Sequence, residues 1–171
     1  HSLSITISDD CKVRSSLCEH QMKTFSHLSA GIMDIQRTGD DTSGREWERT
    51  RKYGVNALAF RMLHHEAFFL ADADCIGIMG LIDWNMNREW MRAVAYSGTP
   101  MFVSPKPNVM NETELQELKD AWRVNSVQED VLIPLDWMEN EYPEVWLIDG
   151  EEVRYNWYED EGITSFNPNR K

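Results

Sequence analysis

Short apolar runs, each closed by polar or acidic residues and separated by stretches of helical periodicity, constrain this chain more than any other feature. The clearest is Ala67-Phe68-Phe69-Leu70-Ala71, a compact run that reads as a strand buried on both faces and ends in Asp72-Ala73-Asp74. Residues 31–35 read as a short strand ending just before Arg37. Residues 3–7 alternate with β-branched side chains and read as an earlier strand, ending at Ser8-Asp9-Asp10-Cys11. Met101-Phe102-Val103 is a later one, closed by Ser104-Pro105-Lys106-Pro107.

Helical periodicity fills the intervals. Val55, Leu58 and Met62 fall on one face of a stretch predicted over 45–63. A second stretch, 87–97, places Trp90, Met91, Val94 and Ala95 on one side, with Gly98 as a stop. Asn111 with Glu114 three residues on forms a capping box, followed by a stripe of Leu115, Leu118 and Trp122. A shorter helix is predicted around 17–25.

Strand, helix, strand, helix with short links predicts parallel βαβ units. Because the polar residues follow the strands, a closed barrel would gather them at one face. After Pro134 the pattern changes. Residues 144–148, then Asp149-Gly150, then 151–157 predict a β-hairpin with a type I′ turn. The expected organisation is therefore βα units of a partial (β/α)₈ barrel over 1–135, then the start of a small antiparallel β-domain over 136–171. A full barrel takes about 250 residues, so the missing N-terminal part of the barrel, or another subunit, is an expected partner.

Composition narrows the partners. Acidic residues outnumber basic ones 29 to 17, a formal charge of −12, which argues against nucleic acid or an anionic membrane. No run approaches the roughly 18 apolar residues of a membrane span. The cysteines, Cys11, Cys18 and Cys75, are odd in number and lack metal-ligand spacing. They fit reduced thiols and a cytoplasmic setting. His64-His65-Glu66 lacks the H-E-x-x-H spacing, and no Gly-rich phosphate loop occurs, so neither a metal nor a cofactor is expected.

Four polar strand ends are candidates for chemistry. Arg37-Thr38-Gly39-Asp40-Asp41 places two carboxylates beside an arginine, a setting for a general acid of tuned pKa. The same residues fit a plainer role, with Asp41 and Thr42 capping the next helix and Arg37 in a surface ion pair. Asp72 and Asp74 suit sugar hydroxyls, although from the residues alone a turn cap and a structural salt bridge are the favoured reading. Cys11 with Arg14 is a third end, and Ser104 with Lys106 a fourth.

Together these ends resemble the later half of the catalytic barrel in α-galactosidases of the melibiase and raffinose-synthase type, glycoside hydrolase clan D. Thr38-Gly39-Asp40-Asp41 after Arg37 looks like that family's acid/base segment. Ala71-Asp72-Ala73-Asp74-Cys75 looks like its D-P-D-C strand end, and Ser97-Gly98 with Val103-Ser104-Pro105-Lys106-Pro107 looks like its next helix and strand. The resemblance implies that the βα units are the later ones of the barrel, and a retaining two-carboxylate hydrolase acting on an oligosaccharide or galactoside. Asp40 is its preferred acid/base and Asp41 the competitor. Arg37, Cys11, Arg14, Asp72, Asp74, Ser104 and Lys106 would contact substrate. The family's nucleophile sits in a Lys-x-Asp setting that this sequence lacks, so the resemblance implies an incomplete enzyme. A non-catalytic carbohydrate-binding or scaffold protein is the alternative.

Overall fold

The computed structural model describes residues 30–128 and 132–157. The strand expected at 3–7, the helix at 17–25, Cys11, Arg14 and Cys18 lie outside the described residues.

Strand β1 (Ile35–Arg37) pairs in parallel with β2 (Leu70–Asp72). Between them runs a helical segment made of α1 (Trp47–Arg49), a π-helical stretch (Thr50–Val55), α2 (Asn56–Arg61) and a 3₁₀ turn (Met62–His64). Strand β3 (Ile76–Ile78) follows β2 directly and pairs in parallel with β4 (Val103–Pro105), across helix α3 (Trp84–Ala95). Helix α4 (Glu112–Val127) leads to β5 (Ile133–Pro134), β6 (Val145–Ile148) and β7 (Glu151–Arg154), an antiparallel sheet in that order.

This arrangement overturns the expected barrel units. The described strands form two separate two-stranded parallel sheets and one three-stranded antiparallel sheet, most only three or four residues long. Successive barrel strands are joined through a helix and share one ladder. Here β2 and β3 are joined by Ala73-Asp74-Cys75 alone and belong to different sheets. The cause is local: Asp74 takes a left-handed backbone conformation, φ 76°, which turns the chain and ends the β2 ladder. The antiparallel sheet packs on the same core as the parallel strands. Its Trp146, Tyr155 and Trp157 belong to the same core as Trp47, Ile76 and Trp90.

Several element boundaries move for physical reasons. Strand β1 includes Arg37, because its residues 35–37 pair with 70–72. The run 67–71 is not buried on both faces: Phe69 and Ala71 point inward, while Phe68 is 41% and Leu70 37% exposed. The strand buried throughout is β3, which contains Gly77. Asp83 caps α3 by accepting from the Asn85 amide, so that helix starts before Asn87. Its expected core face, Trp90, Met91, Val94 and Ala95, is buried. Helix α4 has its capping box, with Asn111 and Glu114 bonded reciprocally. Of its expected stripe only Leu118 is buried, since Leu115 and Trp122 are about two-fifths exposed.

The tryptophans hold the core together. Trp47 Nε1 donates to the Trp157 carbonyl at 2.9 Å, and Trp146 and Trp157 both donate to the Pro143 carbonyl, using its two lone pairs. Tyr155 stacks on Trp157 with ring centroids 4.8 Å apart.

Candidate carboxylate site and its cleft

Register places the site. Arg37, the last residue of β1, lies opposite Asp72, the last of β2. One residue further on, the Thr38 amide donates to the Asp72 carbonyl at 2.8 Å. The chain then leaves the sheet as a loop carrying Asp40, Asp41 and Thr42. That loop is latched to Asp74, whose Oδ2 accepts from the Thr42 amide at 2.6 Å and lies 3.2 Å from the Thr42 hydroxyl. The hydroxyl also reaches the Cys75 carbonyl at 2.7 Å. Glycines let the loop come this close. A Cβ on Gly77 would lie 2.4 Å from the Gly44 nitrogen, and one on Gly44 would lie 2.1 Å from the Gly77 carbonyl oxygen.

Arg37 is shared. Its guanidinium lies 3.5 Å from Asp74 and 4.0 Å from Asp41. Asp40 turns the other way: its Oδ1 accepts from the Asp41 amide and lies 3.8 Å from Arg49. Arg49 also donates from Nε to the Asp41 carbonyl at 2.6 Å. Neither Asp41 nor Thr42 caps the following helix, whose N-cap is Glu46 without a side-chain cap bond. The plainer reading of the second cluster is realised, however. Asp72 Oδ1 closes a turn by accepting from the Asp74 amide at 2.8 Å, and Asp74 is salt-bridged to Arg37.

Beside this network opens a cleft of about 590 Å³, lined among others by Asp41, Ser43, Glu46, Arg49, Cys75 and Ser104. Asp41 and Glu46 are its carboxylates; the Asp41 side chain is about half exposed, whereas the Asp40 side chain is only 15% exposed. Arg37, Asp40, Asp72 and Asp74 do not line the cleft. Lys106 is exposed and is not part of the lining; its amide bonds the Ile78 carbonyl. The sequence reading missed Thr42, Ser43, Glu46, Arg49 and Cys75 as parts of the site. Arg45, Glu46 and Arg49 could have been flagged as charges in the first turns of a helix directly after an acidic loop.

Burial sets the protonation states. It pushes the Asp72 carboxyl up to about 6, helped by the Asp74 charge and opposed by the Asp74 amide bond and Arg37. Burial with the nearby Asp74 charge pushes the Cys75 thiol up to about 11, which keeps it protonated and makes it a poor nucleophile. Among the described residues no group of three or more His, Cys, Asp and Glu is placed to hold a metal ion. His65 is buried with its Nδ1 accepting from the Ala71 amide, and burial lowers its pKa. No helix among the described residues is long and apolar enough to cross a membrane. The cleft can therefore offer two accessible carboxylates, Asp41 and Glu46, hydroxyl donors from Ser43 and Ser104, and the guanidinium groups of Arg45 and Arg49. No family model, curated protein or solved structure matches this chain.

Proposed function

We propose that the cleft binds a galactoside and that Asp41 serves as its acid/base in a retaining, α-galactosidase-type hydrolysis, with the nucleophile supplied from outside this chain. Function resides in a site and not in a fold, so the reading stands on side chains. The observation that carries it is the convergence of Asp41 and Ser104, far apart in sequence, on one cleft, with Arg37 shared between Asp41 and Asp74. A carboxylate paired with a guanidinium and flanked by hydroxyls suits both a sugar hydroxyl and a glycosidic oxygen. Asp41 replaces Asp40 as the preferred group because Asp40 is engaged by Arg49 and largely covered. A retaining pair stands about 5 to 5.5 Å apart, so the partner carboxylate must enter the same cleft.

An NMR titration of the chain with methyl α-galactoside tests this. Saturable shifts are expected at the Asp41, Ser43, Cys75 and Ser104 amides. Asp41→Asn should weaken binding by roughly tenfold, the loss expected for one hydrogen bond to a charged group, while Asp40→Asn should leave it nearly unchanged. Absence of these shifts, or an equal response to methyl α-glucoside and in Asp41→Asn, would overturn the reading. On nitrophenyl α-galactoside the purified chain is expected to give no turnover; hydrolysis by the chain alone would refute the external nucleophile.

A further inference from the structure

The Asp74 carboxylate is nearly covered, with its side chain 9% exposed, and it does not line the cleft. Yet it touches every part of the apparatus behind Asp41. One oxygen holds the Thr42 amide at 2.6 Å, the other faces Arg37 at 3.5 Å, and its own backbone amide is bonded to Asp72. That amide belongs to the 73–74 peptide plane and closes a turn over Asp72, while residue 74 itself adopts φ 76°, a conformation costly for most residues but tolerated by Asp, Asn and Gly. Side chain and backbone thus act on different neighbours from one position.

We propose that Asp74 is a positioning residue: its side chain latches the 37–42 loop and fixes Arg37 against Asp41, while its backbone amide holds the Asp72 carboxylate. This deepens the assignment of Asp41 and rests on it for its catalytic meaning, although the latch itself is a property of the folded chain. The physical logic is that Asp41 lies on a loop without ladder bonds of its own. Between the Thr38 amide at the sheet and helix α1, the bonds that Thr42 makes to Asp74 and Cys75 and the one that Arg49 makes to the Asp41 carbonyl tie it down. Removing the Asp74 carboxylate removes the first of these and frees Arg37 from its nearer ion-pair partner.

Two substitutions separate the roles. Asp74→Asn keeps an oxygen for the Thr42 amide and tolerates the backbone conformation but loses the charge. Asp74→Gly keeps the backbone and its amide bond to Asp72 but loses the latch. Hydrogen exchange at the Thr42 amide and carboxyl NMR titration of Asp72 are the readouts. Asp74→Gly should accelerate Thr42 exchange at least tenfold, with Asn close to the parent. Both should lower the Asp72 pKa, since each removes the neighbouring negative charge. Thr42 protection in Asp74→Gly equal to the parent, or an Asp72 titration unmoved in both variants, overturns the proposal. Should Asp74→Gly fail to fold, Asp74→Asn with Thr42→Val decides it: the first must move the Asp72 titration, and the second must leave it in place. A parent that does not respond to methyl α-galactoside would refute the cleft's function, whereas the exchange and titration results judge Asp74 independently.

Discussion

Asp72 carries its charge against the cost of burial. Its carboxylate is largely buried beside that of Asp74, and the Arg37 guanidinium it shares with its neighbours does not offset the loss of water. A carboxyl whose folded pKa is about 6, against 3.8 unfolded, binds more protons in the folded than in the unfolded state between those values. Its contribution to stability is therefore fully present below about pH 4 and is lost as pH rises through 6. Asp72→Asn keeps the acceptor for the Asp74 amide and removes the charge. It should be nearly neutral at about pH 3.5 or below and stabilising at pH 8, by at most the roughly 3 kcal/mol that two pKa units represent. Urea denaturation of both proteins at the two pH values checks this. An equal or lower midpoint for the variant at pH 8 would show that the charge is better compensated than its burial implies.

Where elements meet, close backbone approach decides the outcome. Strand β3 is buried on every side, and at Gly77 the loop carrying Gly44 crosses it within contact distance. Gly77→Ala forces that loop outward. It should cost about 1–3 kcal/mol, the range for overpacking, and shift the amides of Thr42 and Ser43 at the cleft. A thermal melt with unchanged midpoint and unmoved cleft amides would refute the claim that the crossing is tight. What the sequence reveals follows the same line between local and distant causes. The Asn111–Glu114 capping box is legible because both partners lie within one helical turn. So is the Asp149-Gly150 turn, where both residues take positive φ, 50° and 82°. The polar strand ends are legible as a group, and Arg37, Asp41, Asp74 and Ser104 do assemble. Which face of residues 67–71 is buried is set by partners far along the chain, and reading an apolar run as doubly buried fails there. The barrel expectation fails for a related reason. Periodicity gives the order of strands and helices, but the break between β2 and β3 depends on one left-handed residue, Asp74, that no periodicity marks.

Across the whole molecule, the parallel strands and the antiparallel sheet share one core. A β-hairpin has little stability by itself, and β6–β7 borrows its stability from Trp146, Tyr155 and Trp157 packed with residues of α1, β3 and α3. Trp157 makes three of these connections at once: its carbonyl accepts from Trp47, its indole donates to Pro143, and its ring stacks on Tyr155. Because both halves draw on the same aromatic cluster, loss of one should take the other with it. Trp157→Ala removes a fully buried ring and should cost about 3–5 kcal/mol, a large share of the roughly 5–15 kcal/mol that holds a typical domain together. Urea unfolding followed residue by residue, with Gly77 reporting on β3 and Val153 on β7, should give one coincident transition in the parent chain. The variant should show one transition as well, at a lower midpoint. If Val153 melted in the variant while Gly77 stayed protected at the parent midpoint, the two sheets would be independent units and the shared core only a contact between them.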